Sequence, residues 1–187
     1  MNNTNQFLDE ISKLQNDFYA KTSKNTLFKT KQKLECAAAV SDSMDINELT
    51  AKTFYIIPNT NRIFLDYTIF KLYANPNNYN YLVDWAVSLI MHCIHTHGSF
   101  DVHVNINTFT ITACQKYKTI IEMFMDACFQ TDSEAVLKLG HLYIYNIPSV
   151  FDSIIKFLNP FINDTVKPKI VVYDKTQSPA LIQKLFM

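Results

Sequence analysis

Gly140-His141-Leu142-Tyr143-Ile144-Tyr145-Asn146-Ile147-Pro148 leads into Val150-Phe151-Asp152-Ser153-Ile154-Ile155-Lys156-Phe157-Leu158-Asn159-Pro160-Phe161. Thr165-Val166-Lys167-Pro168-Lys169-Ile170-Val171-Val172-Tyr173 follows shortly after. Residues 142–147 read as a core strand, stopped by a turn at Pro148. The apolar positions 150, 151, 154, 155, 157, 158 and 161 read as a helix. So many apolar residues in so short a helix cover more than one face, and such a helix is buried on most sides or faces a greasy ligand or a membrane. Residues 169–173 read as another core strand.

Upstream the same alternation of helix and strand continues. Phe100, Val102, Val104 and Ile106 alternate with polar positions, a strand over 100–106. Helices are expected over 79–96, closed by Gly98, and over 110–129, with a short one at 133–138 and a closing one at 179–187. Phe54-Tyr55-Ile56-Ile57, the turn Pro58-Asn59-Thr60-Asn61 and Arg62-Ile63-Phe64-Leu65 read as a β-hairpin, with Asn61 the residue suited to a left-handed conformation. Residues 66–74 are apolar and ambiguous, and 75–78 is a loop. The first 50 residues are helical: 6–20, then 27–40 after a polar break, then a short helix started by Asp45 with Glu48 three residues on. Strands separated by helices of this length favour a mostly parallel sheet with flanking helices, an α/β fold. The division expected is a helical N-terminal cap, 1–50, on an α/β unit, 51–187.

The chain has 187 residues, 48% of them apolar, enough to bury a full core in one domain. Seventeen basic residues balance seventeen acidic ones, which disfavours a broad nucleic-acid footprint. The start, Met1-Asn2-Asn3-Thr4-Asn5, lacks the regions of a secretory signal, and no stretch is apolar for long enough to span a bilayer. Cys36, Cys93, Cys114 and Cys128 are scattered without a CxxC pair, as expected of reduced, buried thiols in a cytoplasmic protein.

Catalytic templates fail. Two glycines in the whole chain disfavour Gly-rich phosphate loops, and no nucleophile elbow, P-loop or HExxH motif occurs. His92, His95 and His97 with Cys93 are dense enough to be weighed as zinc ligands, but the helix end they share explains them without a metal, and no metal or cofactor is expected. Cys114, near a helix start, is better explained as a buried thiol than as a nucleophile. Lys116 and Lys118 read as a solvated helix face.

The order strand, N-x-P turn, apolar helix ending in Pro160-Phe161, Thr165-Val166 and Lys169-Ile170 resembles the CRAL-TRIO lipid-binding domain. Asn59-Thr60-Asn61-Arg62 sits where that family has its hairpin, so the likeness covers about 53–187. It implies a three-layer α/β domain in which the 148–162 helix is a mobile gate over a lipid pocket, without catalysis. The floor would be drawn from Val102, Val104, Ile106, Tyr143 and Tyr145, and the gate from Val150, Phe151, Ile154, Ile155, Leu158 and Phe161. In phosphoinositide-carrying members a Thr and a Lys contact the headgroup; they correspond to Thr165 and Lys169, though Lys167-Pro168 adds one residue between them. The acidic partner used by those members falls on Leu137, so the inositol contact is lost.

Two function classes follow. One binds and transfers a lipid or similar hydrophobic molecule, touching membranes transiently, with Lys169 as polar anchor. The other is a protein-interaction scaffold like the divergent BCH branch of the family. A cavity favours the first; a closed interior with an exposed apolar patch favours the second.

Overall fold

A computed structural model describes residues 2–22, 29–129 and 133–187, with side chains from Asn5 onward. Three helices open the chain, α1 (Asn2–Lys21), α2 (Lys29–Ser43) and α3 (Ile46–Thr53). The expected polar break after Thr22 and the first residues of the second helix lie outside the described residues. Asp45 caps α3 by accepting from the Asn47 N–H at 2.9 Å, one residue earlier than a capping box would place the bond. Phe7 and Ile11 of α1, Val40 of α2 and Leu49 of α3 are buried in one cluster with Phe54, Tyr67, Tyr73 and Leu82.

The hairpin forms from β1 (Phe54–Ile56) and β2 (Arg62–Asp66), paired antiparallel. Asn59, not Asn61, takes the left-handed conformation, at φ 60°; Asn61 instead reaches the Ser99 hydroxyl with its amide at 3.2 Å. The ambiguous 66–74 segment is helix α4 (Tyr67–Tyr73), because the Asp66 carboxylate accepts from the Thr68 N–H at 2.8 Å and caps its start. After it come α5 (Tyr79–His97), ended by Gly98 at φ 76°, and β3 (Phe100–Asn105).

The single helix expected over 110–129 is two, α6 (Ile111–Lys116) and α7 (Lys118–Cys128), broken at Tyr117 (φ −102°, ψ 12°). Then follow α8 (Glu134–Lys138), capped by the Ser133 hydroxyl, and β4 (Leu139–Ile147), three residues longer at its start than expected. Helix α9 spans only Phe151–Leu158, and a 3-10 turn, Asn159–Phe161, takes over at Pro160. Strand β5 (Ile170–Asp174) and helix α10 (Ser178–Leu185) close the chain.

The five strands lie in sequence order, β1-β2-β3-β4-β5, parallel except for the first pair. Register aligns Ile63 with Val102, Val102 with Leu142 and Leu142 with Ile170; the next row is Leu65, Val104 and Ile144. Paired residues share a face, so these aliphatic rows form one side of the sheet, toward α5, α7 and α9. The other rows, among them Phe64, His103 and Tyr143, form the opposite side, where Phe186 just past α10 packs on Tyr55 and Phe64 at 6.4 and 5.4 Å between rings.

Near the start of β4 the Asp101 carboxylate accepts from the His141 N–H at 2.7 Å, beside a shift of register between β3 and β4. Gly140 stands directly against that carboxylate, where a Cβ would collide with it.

Candidate functional site: an apolar cavity under α9

Between the aliphatic side of the sheet and its covering helices lies a cavity of about 240 Å³. The sheet contributes Phe54, Ile63, Leu65, Val102, Val104, Leu142, Ile144 and Ile170. Leu82, Val83, Ala86 and Ile90 come from α5, a stripe at helical spacing, and Ile120, Ile121, Phe124 and Met125 from α7. Tyr67, Phe70, Phe109 and Tyr117 supply a block of aromatic wall packed edge to face, with Tyr67–Phe109 at 4.8 Å and Phe70–Tyr117 at 5.0 Å.

Helix α9 closes the cavity with Phe151, Ile154, Ile155 and Leu158, spaced i, i+3, i+4 and i+7 along one stripe. Asp152, Ser153 and Lys156 are exposed on its other side. The helix is therefore amphipathic. The expectation of apolar surface on most sides is corrected by the shorter helix, which leaves Val150 and Phe161 outside it, and by the outward carboxylate of Asp152.

The lining is almost wholly hydrocarbon. Its two phenols stay neutral at any ordinary pH: burial pushes Tyr67 up to about 12 and Tyr117 higher still. The Tyr117 hydroxyl turns to the backbone and donates to the Lys71 carbonyl at 3.3 Å.

Seven residues singled out from sequence line this cavity: Val102, Val104, Ile106, Phe151, Ile154, Ile155 and Leu158. Six others are placed elsewhere. Tyr143 and Tyr145 point to the opposite side of the sheet, because Leu142 and Ile144 are the residues paired with Val102 and Val104. Val150 precedes α9 and is 44% exposed. Phe161 lies in the 3-10 turn with the Lys118 ammonium 5.3 Å from its ring centre. Thr165 is exposed and bonds back to Asn163 Oδ1 through its hydroxyl (2.7 Å) and its N–H (2.9 Å), a local turn. Lys169 Nζ donates to the carbonyls of Val136 (2.8 Å) and Leu139 (2.7 Å), acceptors that the end of α8 leaves open. The ammonium is thus tied to backbone rather than presented to the cavity.

Sequence reasoning missed the β4 rows and the α5 and α7 stripes. The helical stripes were readable as amphipathic spacing; the β4 choice needed the register with β3.

On the far side of the sheet, His103 is 3% exposed and its Nδ1 lies 2.8 Å from the Tyr145 hydroxyl. Its ring stacks on Tyr143 at 4.7 Å and on Tyr145 at 5.9 Å, and Tyr173 stacks on Tyr145 at 5.4 Å. Burial lowers His103 to about 4; Asp101 opposes the shift and Arg62 adds to it. Cys114 is buried, which raises its thiol to about 11 and leaves it a poor nucleophile. Among the described residues no group of His, Cys, Asp and Glu is arranged to hold a metal ion, and no helix is long and apolar enough to cross a membrane.

A five-stranded, mostly parallel sheet with helices on both sides and an apolar cavity beneath a short amphipathic helix defines an α/β fold with an enclosed apolar space. The sequence model of the CRAL/TRIO domain matches residues 75–186, well over half of the chain, and the protein belongs to that family, known for binding and transferring lipids. Fifteen chains of solved structures match it; one, the crystal structure of Sfh5, superposes with a TM-score of 0.52 at 14% identity over 76% of this chain. The chain spans 54% of the Sfh5 chain, and the likeness is one of fold. No curated protein matches the sequence.

Proposed function

We propose that the protein binds a hydrophobic small molecule, without catalysis, in the cavity between the sheet and α9, and that α9 is the wall that moves to admit it. The observation that carries this reading is the cavity itself: about 240 Å³ bounded by hydrocarbon, with one wall an eight-residue helix bracketed by Pro148 and Pro160. Well-packed interiors hold few voids larger than a water molecule, so a void of this size is a cost unless a ligand fills it.

Energetics favour opening at a membrane. Carrying four side chains of the size of Phe151, Ile154, Ile155 and Leu158 into water costs up to roughly 12 kcal/mol. An apolar surface that received the stripe would remove most of that cost, and the exposed Asp152, Ser153 and Lys156 suit the outer side of a helix lying at an interface.

Native mass spectrometry of the purified protein, followed by solvent extraction, tests the reading. A near-stoichiometric co-purified lipid is the expected result. A bare polypeptide mass that persists after incubation with mixed liposomes would overturn it, and would favour a protein-docking domain instead.

A further inference from the structure

Resting on that reading, we propose that the cavity takes the hydrocarbon tail of a single-chain amphiphile, limits it to about ten carbons, and is indifferent to its headgroup.

Size sets the limit. An apolar cavity of about 150 Å³ accommodates one benzene, so by proportion 240 Å³ accommodates about ten carbon atoms. Two acyl tails exceed that volume several times over. The wall has little room to give at one part of its circumference, because Tyr67, Phe70, Phe109 and Tyr117 brace one another edge to face.

Indifference to the headgroup follows from the polar inventory. A site that recognises a buried headgroup holds donors or acceptors ready for it. Among the described residues, the buried side-chain polar atoms without a hydrogen-bond partner are Tyr79 Oη and His103 Nε2, and neither residue lines the cavity. The nearby cation with buried reach, Lys169, is held by two carbonyls. The tail is enclosed and the headgroup stays in water, outside the cavity.

The experiment is a chain-length series on the full chain, read by calorimetry or by displacement of a polarity-sensitive dye. Straight-chain alcohols of six to sixteen carbons are used below their aggregation concentrations. Affinity is expected to rise about fourfold per methylene up to about ten carbons and then level off. At ten carbons the alcohol, the carboxylate and the trimethylammonium compound should bind within about threefold of one another. Val104→Phe should move the break to shorter chains and Phe124→Ala to longer ones; circular dichroism and melting confirm that each variant is folded.

Affinity that climbs undiminished to sixteen carbons, or tighter binding of a two-tailed phospholipid, overturns the length limit. A tenfold preference for one headgroup overturns the indifference. Either result leaves the hydrophobic-ligand reading standing, whereas no binding by any chain would overturn both.

Discussion

The two sides of the central sheet are carried by alternate residues of the same strands, and they solve opposite packing problems. Toward α9 the rows are aliphatic, Ile63–Val102–Leu142–Ile170 and Leu65–Val104–Ile144, and they bound an open volume. Toward α10 the residues are ring systems: Tyr55 and Phe64 lie against each other at 5.6 Å, and His103, Tyr143, Tyr145 and Tyr173 stack at 4.7 to 6.3 Å between neighbouring centres. Stacked rings cover a layer with few rotatable bonds. Branched aliphatic side chains under a liftable helix leave space. On the proposed function, stability and ligand capacity are divided between the two sides, so that a large change on one should leave the other intact.

Removing a ring from the filled side should have the largest effect. Tyr145→Ala deletes a 3%-exposed side chain, its stacking and the hydrogen bond to His103, and should lower stability by about 3–5 kcal/mol in denaturant titrations. An equal loss from Val104→Ala on the other side would break the distinction.

Acid should act through the same layer. As pH falls through about 6.5, His103 takes up a proton in the unfolded chain, while in the folded chain it waits until about 4. Its contribution is therefore complete above about 6.5 and is lost as pH falls toward 4, by on the order of 3 kcal/mol. His103→Phe should flatten that part of the stability-against-pH curve relative to the native chain; parallel curves would show that the imidazole is not responsible.

Lys169 sharpens the division, because it belongs to neither side. Lys169→Met strands the carbonyls of Val136 and Leu139 and should destabilise by about 2 kcal/mol, while uptake of a hydrophobic probe stays unchanged. A loss of uptake without a loss of stability would return the ammonium to the role of ligand anchor.

The smallest change in stability should come from filling the open side. Val104→Phe has space to enter, so the unfolding free energy should change by less than about 1 kcal/mol while probe affinity falls at least about tenfold.

The order of elements was legible because most carry their own signal: alternation in 100–106, helical stripes in 79–96, and prolines at 148, 160, 168 and 179 that punctuate the C-terminal third. Which side of β4 faces the cavity was not. Leu142, Ile144, Tyr143 and Tyr145 are all residues that a sheet buries, so local pattern leaves the choice open, and only pairing with Val102 and Val104 decides it. Lys169 misled for the same reason, since its carbonyl partners lie 33 and 30 residues earlier, beyond any local spacing rule. The helix break at Tyr117 has neither proline nor glycine to announce it; Tyr117 instead sits 1% exposed among aromatic neighbours, where tertiary packing overrides helical continuity. In α9 the residues that close the cavity carried their helical spacing openly, while the polarity of the opposite side depended on giving Asp152 its weight.

The small joint at Gly140, where the Asp101 carboxylate holds the His141 N–H, has a reach far beyond its size. Moving β4 by a single residue would turn Tyr143 and Tyr145 inward and Leu142 and Ile144 outward. Two phenol rings would then occupy the space beneath α9. On the proposed function, capacity for cargo is thus a matter of strand alignment, and a side chain at Gly140 would displace the Asp101 carboxylate that holds the His141 N–H at the start of that strand.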